Sequence, residues 1–308
     1  MQVTRGLAPR LDRPVALTIG NFDGVHKGHQ QMLSRLVRAA RTRDLSASVL
    51  TFEPHPRELF TPAAAPTRLT SLRDKLKLLA AQGIDHVHVQ HFSRAFAALS
   101  PDAFVERLLV EGLHARWVLV GEDFRYGAVR AGNCQTLQQA AARHGFELET
   151  MPTVTVDGER VSSSSVRAAL ARGDLELAER LLGRRYSISG RVVHGLKLGR
   201  ELGYATANVQ MKHNRPPLAG IFAVRVYGIG EGACDGVASL GLRPTVASDG
   251  RATLEVHLFD FQRDIYGEHL RVEFLAKIRD EEKYPDLQTL KAQIARDCAA
   301  ARGILEKL

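Results

Sequence analysis

The sequence predicts an α/β domain built on a parallel sheet, followed by an antiparallel β domain that ends in a long helix. Three observations predict it. Up to Gly183, short apolar runs alternate with amphipathic helical stripes, the pattern of a parallel sheet with covering helices. From Tyr186 onward single apolar residues alternate with polar ones, and glycines and prolines punctuate the runs, as in an antiparallel barrel or sandwich. A last helical stripe then closes the chain. The boundary falls near 183 to 186, giving domains of 1–183 and 184–308.

The elements follow in order. Val15 to Ile19 is a buried strand ending at Gly20, and Met32, Leu33, Leu36, Val37 and Ala40 share one face of the next helix. Ala47 to Phe52 is a second strand. Leu69, Leu72, Leu76 and Leu79 mark a helix that Gly83 stops, and Val87 and Val89 begin another strand. Ser100 caps a helix with Pro101 at its first position and Gly112 at its end. Trp117 to Val120 is a strand, Gln135 to His144 a helix, and Phe146 to Met151 a strand. In the second half the strand residues are Tyr186, Ile188 and Val192; Ile221, Ala223 and Val226; Leu254, Val256 and Leu258; and Leu270, Val272 and Phe274. Asp286 caps the final helix, with Leu290, Ile294 and Leu305 on one face.

Composition narrows the class. A net charge of +8 suits either nucleic acid or substrates rich in phosphate. The basic residues are scattered and aromatics make up only 6%, without the interleaving of a stacking platform, so no nucleic-acid partner is expected. No apolar run approaches the ~20 residues of a membrane span, and the N-terminal stretch has no apolar core of a secretory signal. Cys134, Cys234 and Cys298 stand far apart, which fits a reducing cytoplasm and neither a C-x-x-C metal site nor a disulfide framework.

The chemistry concentrates in two places. After the first strand comes Gly20-Asn21-Phe22-Asp23-Gly24-Val25-His26-Lys27-Gly28-His29, and then a helix begins. Glycines let backbone approach a ligand, and a helix N-terminus offers unpaired N–H groups and a positive dipole end. His26 and His29 are three apart and so face one point, where both can donate hydrogen bonds to phosphoryl oxygens. The plainer alternatives are a turn with two surface histidines, or a zinc site, for which no third ligand stands at usable spacing. In the second half, Gly190 to Arg200 forms a glycine-flanked basic loop, followed by Gly203-Tyr204-Ala205-Thr206-Ala207-Asn208. Thr206 and Asn208 point the same way in an extended segment and present hard oxygens suited to Mg²⁺, although such residues often bond local backbone.

Gly20-x-Phe22-Asp23-Gly24-x-His26-x-Gly28-His29 resembles the signature of the nucleotidyltransferase superfamily, which implies a Rossmann-like domain attacking the α-phosphate of a nucleoside triphosphate. Val161-Ser162-Ser163-Ser164-Ser165-Val166-Arg167 resembles its second motif, with Ser164 where threonine is usual. The segments Thr51 to Arg57 and Gly121 to Gly127 resemble the FMN-binding segments of FAD synthetases. The second half resembles riboflavin kinases, with Ala205 in place of the proline of their Gly-x-Pro-Thr-Ala-Asn box. It also carries Gly220 to Val224, Gly241 to Thr245, Leu254 to Leu258, Asp264 to Gly267 and a closing strand and helix. The whole resembles the bacterial bifunctional riboflavin kinase/FAD synthetase family.

The resemblance implies two ATP-dependent sites. In the first, His26, His29 and Arg167 stabilise charge, Gly20, Phe22, Gly24, Gly28, Ser163 and Ser164 hold ATP, and Phe52, His55, Pro56, Asp123 and Phe124 hold FMN. In the second, a β-barrel, Glu255 is the base, Gly195, Lys197, Gly199 and Arg200 hold ATP, and Thr206 and Asn208 hold Mg²⁺. Arg279 and Asp297 border the flavin there. The expected partners are riboflavin, FMN, FAD and ATP. Two rivals remain: a nucleotidyltransferase with another acceptor, and a flavin-sensing or nucleic-acid-binding protein without turnover.

Overall fold

Val15-Ala-Leu-Thr-Ile19 is buried at every position, as a parallel strand covered on both faces must be. In the computed structural model, which describes residues 1–6, 13–195, 203–211, 215–242 and 252–308, this strand lies inside a six-stranded sheet. Its first members are β1 (Gln2–Arg5), β2 (Val15–Ile19) and β3 (Ser46–Glu53), with α1 (Lys27–Thr42) between the last two. Next come α2 (Pro56–Phe60), α3 (Leu72–Ala81), β4 (His86–His91), α4 (Arg94–Ala97) and α5 (Pro101–Ala103). α5 runs on as a π-helix over Phe104–Gly112 before β5 (Ala115–Gly121), α6 (Cys134–His144) and β6 (Glu147–Met151).

All pairs in this sheet are parallel, in the order β1-β4-β3-β2-β5-β6. Period-two alternation divides its side chains between two cores. Val15, Leu17, Ile19, Val118 and Val120 meet the π-helical segment and α6, whereas Ala16, Trp117 and Leu119 meet α1 and α3. The chain leaves β2 toward β3 on one side, while β5 joins on the other. That reversal is the switch point at which open α/β sheets bind ligands outside their strand ends.

A short hairpin, β7 (Thr155–Val156) and β8 (Glu159–Arg160), precedes α7 (Ser163–Ala171) and α8 (Leu175–Leu182). Gly183, at the expected boundary, is the left-handed cap that ends α8. β9 (Ser187–Val193), β10 (Ala207–Gln210), β11 (Gly220–Tyr227), β12 (Ala233–Leu242), β13 (Ala252–Leu258) and β14 (His269–Arg279) form a closed antiparallel barrel, in the order β10-β13-β12-β11-β14-β9. The terminal helix α9 (Leu287–Leu305) starts at the expected cap, the Asp286 carboxylate accepting from Thr289 N at 2.7 Å. Ala301 and Leu305 bury its apolar stripe against Ile221, Ala223 and Val237.

The parallel sheet, the barrel and the terminal helix are therefore as expected. β1 and α8 were not anticipated, and α3 begins at Leu72, with Leu69 before it. By internal packing the chain forms two units, Met1–Pro66 with Leu72–Ser162 and Thr67–Ser71 with Ser163–Leu308. Among the described residues no helix is long and apolar enough to cross a membrane.

Candidate active sites

In the first unit β2 delivers the chain into a turn that only a few residue types tolerate. Phe22 and Val25 both adopt left-handed backbone, with φ of 48° and 41°, and each is 1% exposed, so burial of their side chains holds a conformation that would otherwise relax. His26 is the N-cap of α1, and its Nδ1 accepts from His29 N at 3.3 Å. That bond leaves Nε2 as the donor of a neutral His26 ring. The rings of His26 and His29 stack with centroids 3.6 Å apart, and Phe22 lies against His29 at 4.9 Å. A Cβ on Gly28 would come within 3.2 Å of His26 Nδ1, so a side chain there would crowd the pair.

The first turn of α1 carries no acidic residue to offset the positive end of the helix dipole. Burial, and then the nearby charges of His26 and Lys75, hold His29 well below the ordinary histidine range, so its imidazole is neutral. His29 Nδ1 and Asn21 Oδ1 are buried without a hydrogen-bond partner among the described residues; water satisfies either atom, and an anion satisfies His29 Nδ1 when that nitrogen carries the ring proton. The acid-free helix start and the neutral His29 suit an anion.

Next to it in the sheet, β3 ends in Thr51-Phe52-Glu53. Phe52 meets Phe92 at 5.7 Å and Phe96 at 5.9 Å, and Phe60 meets Phe92 at 6.0 Å. Phe124 stacks on Tyr126 at 5.6 Å, and Tyr126 continues to Phe104 at 5.2 Å. Phe92 and Phe96 were missed by sequence reasoning. The density of phenylalanine just after β4 was the available signal. Pro56 opens α2, and His55 is its N-cap, accepting from Arg57 N at 3.2 Å while Glu58 bonds back to His55 N. Asp123 is largely exposed and pairs with Arg160 at 3.1 Å.

In the second unit Ser163 and Ser164 occupy the first turn of α7, and Arg167 Nε donates to the Thr67 carbonyl at 2.6 Å. On the barrel, register does the positioning. Asn208 lies directly opposite Glu255, and Glu255 opposite Ser239. Their neighbours Ala207, Val256 and Ala238 are buried, so these three residues share the other face, away from the packed interior. Thr206 immediately precedes β10, two residues from Asn208.

Gly195 lies close against Asn208, since a Cβ there would collide with the Asn208 side chain. His257 Nδ1 is 2.9 Å from the Ala205 carbonyl and holds the segment just before Thr206. Arg279 and Asp297 form a two-pronged pair of 2.9 and 2.6 Å, with Asp297 5% exposed, and Gln293 also donates to Asp297. Hydrogen bonding to that carboxylate raises the Arg279 pKa. Lys197, Gly199 and Arg200 lie outside the described residues. Among the described residues no group of three or more His, Cys, Asp or Glu side chains is placed to hold a metal. The neutral oxygens of Thr206 and Asn208 fit an Mg²⁺ whose remaining ligands are phosphates and water.

Two family models match successive parts of the chain. The family model described as FAD synthetase matches residues 8–165, and that described as riboflavin kinase matches residues 182–305. A bifunctional riboflavin kinase/FMN adenylyltransferase of Escherichia coli is 48% identical over 98% of this chain and 97% of its own. Those of Pseudomonas fluorescens and Haemophilus influenzae are 48% and 46% identical, over 99% and 98% of this chain and 98% and 99% of their own. A crystal structure named as a macrolide-efflux protein from Streptococcus pneumoniae superposes with a TM-score of 0.81 at 28% identity, over 96% of this chain and 97% of that one. The chain belongs to the bifunctional riboflavin kinase/FMN adenylyltransferase family.

Proposed function

We infer that the chain phosphorylates riboflavin with ATP to give FMN and ADP, and adenylylates FMN with a second ATP to give FAD and pyrophosphate. The observation that carries the adenylyl-transfer half is the stacked His26–His29 pair at an acid-free helix start. Residues 1–183 take that reaction and residues 184–308 the kinase reaction. The FMN phosphate is already ionised, so the first domain has no proton to remove. His26 and His29 donate to phosphoryl oxygens as charge builds on the α-phosphate, and Arg167, Ser163 and Ser164 keep the phosphate-handling role of their motif. Gly20, Phe22, Gly24 and Gly28 shape the ATP turn. Phe52, Pro56 and Phe124 flank the isoalloxazine, with His55 and Asp123 at its border.

In the barrel, Glu255 takes the proton from the ribityl 5′-hydroxyl as that oxygen attacks the γ-phosphate. Thr206 and Asn208 would hold Mg²⁺, which would offset the charge of the phosphates. Gly195, Lys197, Gly199 and Arg200 take the nucleotide-binding role of their motif. Arg279 and Asp297 fix α9 beside the flavin. Three free cysteines support a cytoplasmic enzyme, and a charge of +8 suits polyphosphate substrates. Purified protein incubated with riboflavin and Mg·ATP and resolved by chromatography is expected to yield FMN and then FAD. FMN alone would remove adenylyl transfer from the assignment, and no flavin turnover would remove both activities.

A further inference from the structure

Helix α3 carries a residue that its packing does not explain. Leu72, Lys75, Leu76 and Leu79 occupy the i, i+3, i+4 and i+7 positions that turn toward a core, so a lysine stands where an aliphatic residue is expected. Its side chain is sunk with it, at 1% exposure. Burying an ammonium is unfavourable, and a methionine would supply the same bulk without the charge.

What the lysine reaches is more telling. Nζ lies 3.4 Å from Thr51 Oγ1, and Thr51, fully buried near the end of β3, donates onward to the Asn21 carbonyl at 3.2 Å. Asn21 opens the turn that contains left-handed Phe22 and Val25 and that delivers His26 and His29. Lys75 is therefore two hydrogen bonds from the backbone of that turn. Burial chiefly lowers the His29 pKa, and the charges of His26 and then of Lys75 on α3 add to it.

We propose that Lys75 is a positioning residue for adenylyl transfer: anchored on Thr51, it braces the Asn21–His29 turn and sets a fixed positive charge behind the histidine pair. This rests on the reading of His26 and His29 as the nucleotidyl-transfer centre. A cation in this place attracts an arriving triphosphate toward the turn. It also disfavours a second positive charge on His29, which keeps that ring neutral to lower pH.

Lys75→Met removes the charge and keeps the length. Expected are a fall of about 10- to 100-fold in kcat for FAD formation, unchanged riboflavin phosphorylation, and an acidic limb of the FAD-forming pH profile displaced to higher pH. The direction follows because His29 protonates more readily once its cationic neighbour is gone. Wild-type FAD formation with an unmoved limb would overturn the assignment, provided His29→Ala is inactive in the same assay. A His29→Ala enzyme that still makes FAD would instead refute the underlying reading. If Lys75→Met unfolds, as a lost kinase activity and a lowered Tm would reveal, Thr51 decides. Loss of kcat in Thr51→Val with recovery in Thr51→Ser supports the brace, and wild-type kcat in Thr51→Val refutes it.

Discussion

The two regions proposed to handle phosphate are built from different parts. The first is a strand end and a helix start, with stacked histidines, no acid in the opening helical turn and a backbone held in left-handed conformations. The second is the outer face of a barrel, where cross-strand register sets Glu255 beside Asn208 and two residues along from His257. The difference matches the two nucleophiles. An ionised phosphate needs only stabilisation of charge, so a cluster of donors suffices. A hydroxyl must lose its proton, so a carboxylate is required.

That contrast is broken most directly by crossing the sites. His29→Ala is expected to lower FAD formation by about 100- to 1,000-fold and leave FMN formation intact. Glu255→Ala is expected to lower FMN formation by about 100- to 10,000-fold and leave FAD formation from supplied FMN intact. Separate assays of the two products check both, and loss of both activities in either variant would show that the regions do not work independently.

A second comparison concerns stability. Asp297→Ala leaves the half-buried Arg279 guanidinium without its two-pronged partner, and about 3 kcal/mol of stability is expected to go with it, measured by denaturant unfolding. Acid sharpens the contrast from the other side. His29, His86 and His88 all have pKa values lowered chiefly by burial, so between their folded values and the ordinary 6.5 the unfolded chain binds more protons. Stability of the first unit is thus fully present above pH 6.5 and falls as pH drops below it. Calorimetry from pH 8 to 5 would show a falling Tm for that unit. The smallest effect belongs to His257→Ala, which frees the Ala205 carbonyl. About 1 kcal/mol is expected, read as a several-fold rise in the KM for Mg·ATP, with partial recovery on adding Ala205→Pro.

Much of this was legible in the sequence, for physical reasons that also mark where legibility ends. The strands of both halves announced themselves because burial on two faces or on one writes different patterns into Val15–Ile19 and Ala252–Leu258. The histidine pair was legible because a three-residue spacing at a helix start has one geometric outcome. Lys75 was not, because a lysine inside a leucine stripe reads as a solvated helix face until the sheet order places Thr51 beneath it. Phe92 and Phe96 join Phe52 only because β4 lies beside β3, a pairing local periodicity does not specify. The π-helical turns of Phe104–Gly112 leave no mark in an apolar pattern that an ordinary helix would share.

The sheet order has a last consequence, for how the protein avoids sticking to itself. A closed barrel presents no free strand edge, but the parallel sheet ends in two, β1 and β6. β1 is only four residues long, a short template for another chain to add to. β6 sets Glu147 and Glu149 along its length, and Arg43, just past the end of α1, and Arg35 within it pair with them. Any incoming strand would have to displace those pairs and strip water from the carboxylates, so the exposed border resists aggregation through charge, while the other half of the molecule achieves the same end through closure.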